Sequence, residues 1–113
     1  MCIRDRAYIA RIKEKDHGLK SLDQKLYENL FQLEEARITE DKHLVDLVNS
    51  LSEESIHKEI TYKGFETGNT TYTINILLIT LFNHQTHHRG QVHNMLSQAG
   101  IKPPPIDIPD FIN

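Results

Sequence analysis

The sequence predicts an all-α fold, a helical bundle with a short β-hairpin or extended crossover before its last helix. Three observations carry that expectation. Leu22, Leu26, Leu30 and Leu33, then Leu44, Val48 and Leu51, recur at helical spacing, and no Pro or Gly interrupts residues 21–55. A second apolar stripe, Ile74, Leu77, Leu81, Val92, Met95 and Ala99, marks another long helix. Between them, Ile60, Tyr62, Tyr72 and Ile74 alternate with polar neighbours, the period of a strand. A chain of 113 residues has room for one domain, residues 1–113.

The elements follow in order. Ala7 to Lys15 reads as a helix with Tyr8, Ile9 and Ile12 on one side and charges on the other. Its end is expected at Asp16-His17-Gly18, where Gly18 takes the left-handed position. Asp5 is the only cap candidate, so the segment reads as the end of a helix whose beginning is missing. The opening string, Met1 to Arg6, resembles non-native sequence found at the ends of open reading frames called from environmental reads. Ser21 and Gln24 have the spacing of a capping box, so the next helix is expected over Leu22 to Leu51. The turn-rich Lys63-Gly64-Phe65-Glu66-Thr67-Gly68-Asn69 suits a hairpin. The last helix is expected from Thr73 to Ala99, with Gly100 as its cap and Pro103-Pro104-Pro105 barring continuation. The tail, Ile106 to Asn113, is expected to lie extended over the bundle. Three helices of such unequal length close a bundle poorly, and a four-helix bundle missing its N-terminal part fits better.

Composition excludes several functions. Thirteen Lys and Arg against 16 Asp and Glu give a net charge of −3, which lacks the basic footprint of a nucleic-acid binder and of a polybasic membrane anchor. The apolar run from Ile74 to Phe82 is far short of the roughly 20 residues that span a bilayer. One cysteine, Cys2, permits no internal disulfide, and with no secretory signal the chain reads as cytoplasmic. There is no glycine-rich phosphate loop and no serine in a nucleophile elbow.

The informative stretch holds four of the seven histidines: His84, His87, His88 and His93. At about 100° per residue, His88 lies about 40° from His84, both inside the apolar stripe with Leu77, Leu81 and Met95. His87 falls on the flank and His93 on the opposite side; both are expected to face solvent, as are His17, His43 and His57. Arg89 is likewise expected to be exposed. Two imidazoles at i and i+4 project side by side, and buried polar rings need partners. A divalent metal ion, Ni, Zn, Fe or Mn, is one partner, held by His84 and His88 with a third ligand from a facing helix. Hydrogen bonds to backbone or polar side chains are the other, and HxxxH alone does not choose. Gly90 either admits a close backbone or is merely tolerated. Arg37 and Asp41 interrupt the stripe of the long helix, lining a polar pocket or simply facing solvent as the stripe drifts.

Asn83-His84-Gln85-Thr86-His87-His88-Arg89-Gly90-Gln91-Val92-His93, continued by Leu96-Ser97-Gln98-Ala99-Gly100, resembles the DinB-like (DinB/YfiT-like) metalloenzyme family. Asp5-Arg6-Ala7-Tyr8-Ile9-Ala10-Arg11-Ile12 resembles the stretch that ends the family's second helix, and Arg37 and Ile60-Thr61-Tyr62 also fit. The resemblance implies a four-helix bundle, here lacking its first helix and most of its second, and a divalent metal held by three histidines. Two of these map onto His84 and His88; the third would fall before Met1. It further implies a metal-dependent hydrolase or a thiol-dependent transferase acting on a small molecule or thiol, in a family with damage-inducible members, and leaves the catalytic residues unassigned. The competing expectation is a non-catalytic stress-response or interaction module, alone or as a homodimer, with core histidines and no metal.

Overall fold

A computed structural model describes residues 2–112. In chain order they form α1 (Cys2–Ile12), α2 (Leu30–Ser50), a 3₁₀ turn (Ser55–His57), β1 (Glu59–Gly64), β2 (Gly68–Thr73), α3 (Ile74–Gln98) and a second 3₁₀ turn (Ile108–Phe111). The expected four-helix bundle lacking helices is therefore corrected. The described chain is three helices plus a two-stranded antiparallel sheet, and the strand residue Ile60 belongs to the core beside the helices. Two compact units divide it, residues 1–81 and residues 82–113.

In the first unit, α1 stops earlier than expected. The Glu14 amide donates to the Arg11 carbonyl and the Lys15 amide to the Ala10 carbonyl, the two bonds of a Schellman motif. Glu14, with φ of 53°, takes the left-handed place that Gly18 was expected to fill. The long helix also starts later, at Leu30 rather than Leu22. The Ser21–Gln24 pair shapes a turn instead: Gln24 Oε1 accepts from the Lys20 amide at 3.0 Å and Ser21 Oγ donates to Asp23 at 2.6 Å. The helix cap lies eight residues on, at Asn29. Asn29 Oδ1 accepts from the Gln32 amide at 2.9 Å, and Gln32 Oε1 accepts from the Glu28 amide at 3.1 Å. Leu30 is consequently 78% exposed, because its neighbours in the expected stripe, Leu22 and Leu26, are not on the same helix.

The hairpin is in register from Glu59↔Thr73 to Gly64↔Gly68. Gly68, with φ of 71°, supplies the positive dihedral that a three-residue turn requires. Ile60 and Tyr62 point to the inner face and Thr61 to the outer, where its hydroxyl bonds that of Thr71 at 2.8 Å. The core gathers Tyr8, Ile9 and Ile12 from α1, Leu44 and Leu47 from α2, Ile60 from β1, and Ile74, Leu77 and Leu81 from α3. Each such burial contributes roughly 1.5–3 kcal/mol against the entropy of ordering the chain.

The second unit holds the rest of α3 and the tail. Gly100 ends the helix as expected, at φ of 72°, with Gly100 and Ile101 amides bonded to the Ser97 and Leu96 carbonyls. The apolar stripe does not stay buried: Val92 and Met95 are exposed, and the last buried residue of α3 is Gln85. Ile106, Ile108, Phe111 and Ile112 are exposed too, so the tail is not packed as expected. Its prolines remove amide donors, and Pro109 is the second residue of a single 3₁₀ turn. Among the described residues, no helix is long and apolar enough to cross a membrane.

Candidate metal centre

His84 and His88 lie one turn apart on α3, both half-buried. Their rings meet edge to face, centroids 4.4 Å apart at 85°. The two Nε2 atoms are 2.9 Å apart. On the far side of its ring, His88 Nδ1 lies 2.7 Å from Gln91 Oε1. A neutral imidazole carries one N–H, so a proton on Nδ1 donated to that amide oxygen leaves the His88 Nε2 lone pair aimed at His84. The N–H for the contact then comes from His84 Nε2.

This geometry suits two adjacent ligands of one cation. Two metal–nitrogen bonds of about 2.1 Å at roughly 90°, the angle of an octahedral ion, bring their nitrogens to about 3.0 Å. The bond from Gln91 is the kind of outer contact that fixes a ligand's tautomer. A third protein ligand does not come from this region. Among the described residues, no group of three or more His, Cys, Asp or Glu is placed to hold a metal. The position that the family resemblance assigns to the third histidine lies outside the described residues.

The other histidines depart from expectation in two cases, His93 and His17. His87 is exposed, its ring 5.4 Å from that of His88. His93, expected in solvent, is half-buried. His17, also expected at the surface, is half-buried and stacks on Phe65 at 5.1 Å. Arg89 is exposed as expected and donates to Thr86 Oγ1 at 3.0 Å. Gly90 faces open space, with nothing within 4 Å of where a Cβ would stand, so it is tolerated rather than required.

Arg37 is not simply solvated. Its guanidinium bonds Asp5, which is 1% exposed, and Asp41 one turn along α2. Burial works against the charge on Arg37, but the bonds and charges of Asp41 and Asp5 outweigh it and hold the guanidinium protonated beyond its usual range. The network ties the first turns of α1 to α2. Sequence reading missed Gln91, although its place three residues after His88 is the signal for a side-chain bond on one helix face.

A largely helical chain carrying a converging histidine pair one turn apart defines a class of candidate metal-binding proteins. The DinB family model matches residues 1–113, so the chain belongs to the DinB family. No curated protein and no solved structure matches it significantly.

Proposed function

We propose that the protein binds a divalent cation, Ni, Zn, Fe or Mn, through His84 and His88, as a metal-dependent DinB-family enzyme acting on a small molecule or thiol. The observation that supports this most is the convergence of two Nε2 atoms at 2.9 Å, with His88 oriented from behind by Gln91. To accept the ion, His84 would carry its single proton on Nδ1 instead of Nε2, so that both Nε2 lone pairs are free for one cation. A cation with open positions would lower the pKa of a bound water or thiol, the chemistry that a hydrolase or a thiol transferase needs. Gln91 keeps the His88 ring from rotating and holds its Nδ1 proton.

One feature favours a second reading, a non-catalytic interaction module. The His84–His88 hydrogen bond already gives each inward nitrogen a partner without a cation. Metal content separates the two. Purified protein dialysed against each cation should hold it in fixed stoichiometry and lose it in His84→Ala and in His88→Ala. Gln91→Leu should weaken binding about 10-fold or more by freeing the His88 ring. A chelator should lower the melting temperature of the wild type only. Unchanged metal content in both histidine variants, or none in the wild type, leaves the module reading.

A further inference from the structure

A second candidate site lies within the first unit. Arg11 leaves α1 in the middle of its buried side and is only 9% exposed. Sequence alone places it among the charges of the outer side. Its guanidinium carbon lies 4.2 Å from the Tyr62 ring centroid, 5.4 Å from Tyr8 and 5.9 Å from Phe65. Aromatic faces attract the cation but accept no strong hydrogen bond. Its Nε is buried with no hydrogen-bond partner among the described residues, and no described carboxylate forms an ion pair with Arg11. The acids that share a pocket lining with Arg11 on its other side are engaged elsewhere: Glu14 with Lys58 at 2.6 Å, and Asp16 with the Gly18 amide at 2.9 Å.

A buried guanidinium N–H without an acceptor is costly unless something supplies one. Beside Arg11 is a cavity of about 310 Å³, lined also by Arg4, Tyr8, Tyr62, Phe65 and Tyr72. That volume matches the lower end of small-molecule sites. Two arginines face it against one acid, Glu66, which is exposed and paired with neither. Burial raises the Tyr62 hydroxyl above its ordinary pKa, with the Arg11 charge opposing, so Tyr62 adds no negative charge beside Arg11 at neutral pH.

We infer that this cavity, between α1 and the hairpin, binds a small carboxylate with an aromatic or flat apolar body. The carboxylate matches the planar fork of Arg11, and the tyrosine and phenylalanine rings pack its body. The site is independent of the histidine pair and of any metal.

Benzoate, benzamide and inorganic phosphate are suitable probes, titrated into the 113-residue chain and followed by amide and arginine Nε–H resonances. Benzoate should bind saturably and move the Arg11 Nε–H signal together with the amides of Tyr8 and Tyr62. Benzamide, the same shape without charge, should bind about tenfold or more weakly, as should benzoate to Arg11→Met, which keeps the apolar stem. Arg4→Gln, at a half-exposed position, should weaken benzoate less and stay folded. If Arg11→Met does not fold, the wild-type Nε–H shift and the Arg4→Gln affinity decide. No saturable benzoate binding, an unmoved Arg11 signal, equal affinity for benzamide, or tighter binding of phosphate than of benzoate would each overturn the inference.

Discussion

Asp5 and Arg37 show how a single pair can make a helix junction depend on charge. Asp5 is essentially without solvent, and its carboxylate is bonded by Arg37 across the α1–α2 contact. Removing the guanidinium takes a charge partner from the buried carboxylate, whereas removing both leaves no buried charge to compensate. Arg37→Met should therefore destabilise the fold by about 2–3 kcal/mol, and adding Asp5→Asn should recover part of that loss. Urea melts of the two single variants and the double variant measure the coupling; purely additive losses would mean that the pair is not coupled. Tyr62 carries a different charge effect. Because burial raises its pKa, the folded chain holds the phenolic proton more tightly than the unfolded chain. Its contribution is complete below the unfolded tyrosine value of about 10 and is lost as pH rises through the higher folded value. Stability should thus fall with rising pH in that alkaline window, and Tyr62→Phe should flatten the fall. An unchanged slope in that variant would assign it to other groups.

The helix ends and glycines differ in how visibly the sequence declares them. Gly100 was legible because a glycine just before a proline run has one common use, and the left-handed residue is there. The end of α1 was not legible, since Glu14 adopts the same conformation without being the residue type that favours it. The start of α2 was misplaced because two stretches, Ser21 to Gln24 and Asn29 to Gln32, both have capping-box spacing, and only tertiary packing chooses between them. The two glycines of α3 and its cap give a paired prediction. Gly90→Ala meets open space in a helix interior and should stabilise by about 1 kcal/mol. Gly100→Ala meets equally open space but at φ of 72°, and should destabilise by about 1 kcal/mol. Thermal melts should move in opposite directions; shifts of one sign would show that neither backbone conformation governs the site.

At the scale of the molecule, the histidine pair was legible because i,i+4 spacing fixes which side chains can meet, whatever the fold around them. Arg11 was hidden for the opposite reason: its three aromatic neighbours come from α1 and from a hairpin some fifty residues away, which helical periodicity does not report. The extent of the core was overread in the same way. A stripe running to Ala99 predicts burial along all of α3, yet Ile74, Leu77 and Leu81 are buried while Val92 and Met95 are exposed. The helix is continuous, so its backbone bonds are alike throughout and only side-chain packing distinguishes its two halves. Packing therefore decides which amides open with the whole fold and which open locally. The amides of Leu77 and Leu81 should exchange with deuterium only through global unfolding, and should slow further with any substitution that stabilises the first unit. Those from Asn94 to Gln98 should exchange by local fraying and ignore such substitutions. Equal protection along the whole of α3 would mean that its exposed half is covered in solution, and the exposed Val92 and Met95 would then be the first residues to probe for what covers them.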